Sequence, residues 1–103
     1  MKKRIITNQT INSFKDYLIE NEKATATIEK YMRDIQLFAQ YATDKPLDKI
    51  LILEYKSSLE KNYAIRSANS ILAALNSFFR FLGWHDLCVK QFKVQKEAYC
   101  SEE

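Results

Sequence analysis

The chain has few of the residues that make turns, metal sites and disulfides. Its 103 residues include one glycine, one proline, one histidine and two cysteines. Sandwiches and barrels need many hairpin turns, which commonly need glycine or asparagine, so an all-β fold is disfavoured. The single histidine leaves no pair of histidines for a metal and no partners for a catalytic triad. Cys88 and Cys100 form no disulfide framework, and we expect a reducing compartment.

Long apolar runs and a leader sequence are also lacking. No stretch approaches the ~20 apolar residues of a membrane span. Behind the charged first residues stand only Ile5 and Ile6, so no signal peptide is predicted. Hydrophobic residues make up 47% of the chain, which is enough for one modest core. We therefore expect a single small cytoplasmic domain that has no membrane partner.

Positive charge is unevenly distributed along the chain, whose net charge is +3. Residues 5–60 hold seven basic and nine acidic side chains. Residues 61–96, in contrast, hold six basic side chains and one acidic side chain, Asp86. This asymmetry favours an acidic partner such as nucleic acid.

Apolar residues recur at helical spacing in four stretches. Their predicted bounds are Asn8 or Thr10 to Asn21, Thr25 or Thr27 to Ala42, Asp48 to Asn62, and Ala64 to Gly83. Pro46 ends the second stretch, and Gly83 predicts a left-handed cap after the fourth. Beyond these helices, residues 89–96 alternate with a strand-like period. The sequence thus predicts a compact all-α bundle of four helices, or of five.

The fourth predicted helix has a polar face of small residues between arginines. Its members are Arg66, Asn69, Ser70, Ala73, Asn76, Ser77 and Arg80. Asparagine and serine are poor helix formers, so their density has a local cost. Arginine, asparagine and serine are residue types that contact base edges and phosphates. The open alternative is a packing surface for a partner helix.

Cations and hydroxyls also collect around the start of the second predicted helix. They are Lys23, Thr25, Thr27, Lys30 and Arg33. Backbone N–H groups at a helix start attract phosphate, and nearby cations add to that attraction. The open alternative is an ordinary capped helix with a solvated cationic face.

Two further features are interpreted conservatively. His85 and Cys88 would need Cys100 and a carboxylate to complete a zinc site, and this irregular spacing argues against a metal. Trp84 could stack on bases, but its position after an aromatic run favours the core. We expect no cofactor, no metal and no catalytic residue in this chain.

The order of these patterns resembles a known family. The quoted patterns are F-x-x-Y-L at Phe14–Leu18, T-I-x-x-Y at Thr27–Tyr31, L-E-K-N-Y at Leu59–Tyr63 and F-F-x-F-L at Phe78–Leu82. They are similar to the N-terminal core-binding, SAM-like domain of tyrosine recombinases, the phage integrase family. The resemblance covers residues 8–96. It implies an orthogonal SAM-like helical bundle that forms half of a clamp on double-stranded DNA near the cleavage site, for DNA integration and recombination.

The resemblance also implies which residues face DNA. In that family the second and fourth helices face the major groove, and the following segment passes over the DNA. Carried over residue by residue, the DNA-binding positions are Lys23, Thr25, Thr27, Lys30, Arg33, Arg66, Ser67, Asn69, Ser70, Asn76, Lys90 and Lys93.

Catalysis in the family resides in a separate C-terminal domain, whose residues are not present here. Tyr99 does not match the family's nucleophile, because it precedes an acidic end. We expect a basic extension at residues 1–7, the helical domain at 8–87 and the start of a linker at 88–103. The implied partners are duplex DNA, the catalytic domain and other recombinase protomers, in bacterial cytoplasm at the nucleoid. The alternative is a helical protein-interaction or oligomerisation module.

Overall fold

The amphipathic stretches form four helices in a computed structural model, which describes residues 5–93. The helices are α1 (Asn8–Glu20), α2 (Thr25–Tyr41), α3 (Lys49–Asn62) and α4 (Ile65–Leu82), followed by one 3-10 turn at His85–Leu87. No strand occurs within the described range. The predicted all-α, four-helix fold is confirmed, and the additional element is a single turn. The predictions for Tyr99 and for residues 1–4 and 94–103 lie outside the described residues.

Helix α4 holds the bundle together through two neighbouring phenylalanines. The ring of Phe78 lies 5.3 Å from that of Phe14 on α1. The ring of Phe79 lies 5.9 Å from that of Phe38 on α2. All four rings are fully buried. Because successive residues of a helix are about 100° apart, adjacent side chains reach two different helices.

The predicted core is largely confirmed. Helical spacing of apolar residues predicts four inward positions on α3, and all four are buried, namely Leu51, Ile52, Tyr55 and Leu59. Trp84 packs against the core, as predicted. The spacing of Tyr17 from Ile11, Phe14 and Leu18 on α1 predicts a buried position, but Tyr17 is 43% exposed. It lies at the edge of the apolar stripe of α1, where its ring covers that of Phe81 at 4.9 Å and its other face remains in water.

The turns show how a chain with one glycine reverses direction. Gly83 adopts the predicted left-handed conformation, with φ of 79°, after α4. The loops after α1 and α2 place Glu22 at φ of 59° and Asp44 at φ of 64°. A left-handed conformation costs a residue with a Cβ roughly 1–2 kcal/mol, so these two loops carry local strain.

Residues 88–93 differ from the predicted strand-like alternation. They are neither helix nor strand. Val89 is buried and Phe92 is half-buried against the core, whereas Lys90, Gln91 and Lys93 are exposed. The inward positions are therefore three residues apart instead of two, because the segment pairs with a helix and not with a sheet.

No helix within residues 5–93 is long and apolar enough to cross a membrane.

Candidate nucleic-acid interface

The four helices begin in two different ways. Thr7 Oγ1 accepts a hydrogen bond from the Thr10 N–H (3.1 Å) at the start of α1. Asp48 Oδ1 accepts one from the Leu51 N–H (2.9 Å) at the start of α3. Helices α2 and α4 follow Ala24 and Ala64, respectively, and have no side-chain cap. The first-turn N–H groups of α2 and α4 therefore lack the partner that a capping side chain supplies.

Exposed cations stand just before the uncapped start of α2 and along its first half. Lys23, Thr25 and Arg33 are exposed, and Thr27 is half-buried. Among residues 5–93, the side chains of Lys23 and Arg33 take part in no ion pair and no hydrogen bond. The alternative of an ordinary capped helix is therefore wrong in its capping, while the cations are available to an external anion.

Lys30 differs from the other members of this predicted set. Its ammonium donates to the carboxylate of Asp34, one turn further along α2. The Asp34 side chain is only 8% exposed, so an unpaired charge there would be costly. This role was not predicted from the sequence, although a lysine and an aspartate four residues apart on a helix are a known pairing pattern.

A buried tyrosine from α3 lies in the surroundings of Asp34. The pKa of Tyr55 is raised to about 12, chiefly by burial, and the nearby Tyr63, Asp34 and Tyr41 contribute in the same direction. The neutral phenol is thus strongly favoured in the folded protein. This side of α2 is built for stability and offers no charge for a ligand.

The exposed part of α4 is narrow. We call Arg66, Ser70, Ala73, Ser77 and Arg80 the α4 stripe. At about 100° per residue, they lie within an arc of about 80° around the helix. Both arginines are exposed and the three small residues are half-buried. Neither arginine has an ion-pair partner in the described part of the chain. Arg80 was not among the predicted DNA-binding positions, although it completes the stripe.

Two of the predicted positions on α4 contact the chain's own backbone. Asn76 Nδ2 donates to the Val89 carbonyl (2.8 Å), and Asn76 Oδ1 accepts from the Val89 N–H (3.0 Å). In the same way, Asn69 Nδ2 donates to the Phe92 carbonyl (2.9 Å), and Asn69 Oδ1 accepts from the Phe92 N–H (2.7 Å). We call these four hydrogen bonds the asparagine clasp, and residues 88–93 the clasped segment.

Helix α3 braces the clasped segment from its other side. Lys49 Nζ donates to the Cys88 carbonyl (2.8 Å), and Lys56 Nζ lies 5.0 Å from the centre of the Phe92 ring. The segment is thereby held between α3 and α4, and its two predicted lysines, Lys90 and Lys93, remain exposed.

The predicted positions form two groups within the described residues. No hydrogen bond or ion pair joins the group at the start of α2 to the group on α4 in residues 5–93. Ser67 is exposed in the first turn of α4, outside the α4 stripe. No group of three or more potential metal ligands occurs in this part of the chain.

Comparison with protein families identifies the class of this domain. Residues 11–86 match the model of the phage integrase N-terminal SAM-like domain. The chain belongs to this family, and the resemblance expected from the sequence is confirmed: this is an N-terminal domain of the tyrosine recombinase type.

Three curated relatives are longer proteins. Tyrosine recombinase XerC of Pediococcus pentosaceus is 32% identical over 91 residues, which cover 80% of this chain and 30% of the relative. XerC of Oceanobacillus iheyensis is 31% identical over 80 residues, covering 70% and 26%. Tyrosine recombinase XerA of Thermococcus kodakarensis is 32% identical over 80 residues, covering 77% and 28%. The chain thus spans less than a third of each relative. No solved structure matches it.

Proposed function

We propose that this domain binds double-stranded DNA as the core-binding part of a tyrosine recombinase and acts in site-specific recombination. The observation that carries the proposal is the pairing of uncapped helix starts with exposed cations that lack partners, on α2 and α4. Cutting and joining of DNA would require a catalytic domain. That domain and further recombinase protomers are proposed as partners, with the bacterial nucleoid as the place of action.

Phosphate oxygens are the expected ligands of the two helix starts. Free first-turn N–H groups and the positive end of the helix dipole favour an anion there. Lys23 and Thr25 would bind a phosphate at the start of α2, and Arg33, two turns further along the helix, would bind a neighbouring one, while Lys30 is held by Asp34. These contacts position the protein on the duplex and carry no sequence information by themselves.

At the second helix start, Arg66 and Ser67 would bind a phosphate together with the first-turn N–H groups of α4. Further along the helix, Arg80 and the serines of the α4 stripe present a narrow polar surface. The small side chains there let a groove wall or backbone approach closely, and Lys90 and Lys93 stand exposed on the clasped segment beside α4.

Salt dependence provides the first test. If about five cations each neutralise a phosphate, the logarithm of the binding constant should fall with the logarithm of salt at a slope of about −4 to −5. Fluorescence anisotropy of a labelled duplex, titrated with the 103-residue protein at several salt concentrations, measures this slope. Absence of duplex binding at low salt would overturn the proposal.

Charge reversal provides the second test. Arg33→Glu and Arg66→Glu should each weaken duplex binding by about tenfold at low salt, since each removes a phosphate contact and adds a repulsion. Lys15→Glu makes the same charge change at an exposed position of the capped helix α1 and should leave affinity within about twofold. Equal losses in all three variants would contradict the assigned surface. Salt-insensitive self-association without DNA binding, seen by sedimentation, would favour the protein-interaction alternative.

A further inference from the structure

The asparagine clasp joins a helix and an extended chain in matched register. Asn69 and Asn76 are seven residues apart, so they are separated by about 10.5 Å along α4. Val89 and Phe92 are three residues apart, and an extended chain covers about 10 Å in that distance. Asn76 pairs with Val89 and Asn69 with Phe92, so the segment runs back toward the start of α4. Both pairs can therefore form only with the segment almost fully extended.

Each clasp residue imitates the peptide group of a neighbouring strand. Its amide donates one hydrogen bond and accepts another, and so satisfies both the N–H and the C=O of one segment residue. These bonds are partly buried, so removing one partner leaves backbone groups unsatisfied. The backbone carbonyl of Asn69 additionally accepts from Gln91 Nε2 at 3.0 Å, which adds a fifth hydrogen bond at one end of the clasp.

The clasp borders the α4 stripe. By helical rotation, Asn76 lies about 40° from Arg80, and Asn69 about 40° from Ala73. Lys90 stands between the two clasp points and Lys93 directly after the second, and both are exposed. The clasp therefore fixes the backbone of two cations along one edge of the α4 stripe.

We propose that Asn69 and Asn76 are positioning residues that hold Lys90 and Lys93 beside the α4 stripe, so that these lysines meet DNA and the asparagine amides do not. This inference rests on the proposed function. A segment that is already ordered loses less conformational freedom on binding, so each lysine contributes more to affinity than it would on a free chain.

Direct base contact and the clasp use the same atoms. An asparagine that reads adenine presents both its amide nitrogen and its amide oxygen to the base. In this structure those two atoms of each asparagine are bonded to Val89 or Phe92. Reading a base in that way would release the segment, so the two roles give opposite results in the experiments below.

The main experiment is a thermodynamic cycle on the 103-residue protein with duplex DNA. The pair Asn69→Ala and Asn76→Ala is introduced into the parent and into a background carrying Lys90→Gln and Lys93→Gln. We expect a three- to tenfold loss of affinity and a shallower salt slope in the parent, but less than a twofold change in the glutamine background. An equal loss in both backgrounds would show that the asparagines touch DNA themselves, and would overturn the inference.

A second measurement tests the clasp without DNA. Amide hydrogen exchange followed by NMR should show protection of Val89 and Phe92 in the parent. That protection should fall about tenfold or more in the double alanine variant, while the core amides of α4 remain unchanged. Asn76→Asp keeps the acceptor for the Val89 N–H and should give an intermediate rate. Ser77→Ala, on the same helix, is the control and should change neither amide.

The two measurements separate failure of the inference from failure of the proposed function. Unprotected Val89 and Phe92 amides in the parent would overturn the clasp, whatever the DNA affinity. Protected amides in a protein that binds no duplex would overturn the proposed function, and with it the role given to Lys90 and Lys93. Loss of protection when duplex is added would also overturn the inference, because DNA would then be taking the asparagine amides.

Discussion

At the starts of α1 and α3 a side chain of the chain itself accepts a hydrogen bond from a first-turn N–H group, whereas at the starts of α2 and α4 no side chain does so. The backbone at Ala24 (φ −63°, ψ 148°) is nearly the same as at Ala64 (φ −64°, ψ 153°), and both are extended as an N-cap requires. Only the side chain that would cap is missing. A serine or aspartate at an N-cap typically adds about 1 kcal/mol. Stability is therefore forgone at the two helix starts where an external anion is proposed to bind.

The capped helix α3 also contains Tyr55, the group with the largest expected effect on stability. The pKa of Tyr55 is raised from 10.0 to about 12, mainly by burial. A raised pKa means that the folded state holds this proton more tightly, so the associated stability is complete below pH 10 and disappears as pH rises to about 12. The loss should be about 2–3 kcal/mol. Urea unfolding across this pH range measures it.

Tyr55→Phe should remove that alkaline loss while leaving duplex affinity at neutral pH unchanged. Tyr17→Phe, at an exposed position, is the matched control and should retain the loss. If the parent protein and the Tyr55→Phe variant lose stability in parallel above pH 10, Tyr55 is not the group that causes the alkaline loss.

The next effect concerns Lys30, which lies on an uncapped helix but is bonded within the chain. Lys30→Met should lower the free energy of unfolding by about 1–2 kcal/mol, because Asp34 is left buried without its counter-charge. Its effect on DNA affinity should be smaller than that of Arg33→Glu. Combining it with Asp34→Asn should recover part of the stability, as urea unfolding of the four variants of the cycle would show. Additive losses would argue against the pair.

Adding a cap to α4 should change stability and duplex affinity in opposite directions. Ala64→Asp should raise the free energy of unfolding by about 0.5–1 kcal/mol, because the carboxylate caps the helix and is attracted by the positive end of the helix dipole. The same change should weaken duplex binding by about tenfold, since a carboxylate occupies the anion site. Ala64→Ser supplies the cap without the charge, and it should stabilise the fold with a smaller loss of affinity. Tighter duplex binding by Ala64→Asp would contradict an anion site at the start of α4.

Removing the existing caps should give the reverse pattern, a loss of stability with little change in duplex affinity. Thr7→Ala and Asp48→Ala should each lower the free energy of unfolding by about 1 kcal/mol, by loss of the hydrogen bonds to the Thr10 and Leu51 N–H groups. Duplex affinity should stay within about twofold in both variants. A loss of affinity comparable to that of Arg66→Glu would place the capped starts in the binding surface as well.

Much of the fold could be predicted from periodicity, because helix formation here follows local apolar spacing. The four buried positions of α3 and the left-handed Gly83 are examples, and each depends only on residues within one or two turns. The candidate site was harder to predict. The cations near the starts of α2 and α4 are visible in the sequence, but the folded chain decides that an alanine, and not a neighbouring threonine or serine, stands at each N-cap.

Residue types alone therefore determined the all-α class, the helix bounds and the concentration of positive charge after residue 60. Tertiary structure decided which polar residues are already used. It paired Lys30 with buried Asp34, and it hydrogen-bonded the side chains of Asn76 and Asn69, both predicted to bind DNA, to the backbone of Val89 and Phe92, respectively. The reason is physical: a hydrogen bond between residues 13 or 23 positions apart depends on how whole helices pack, and no local pattern records that packing.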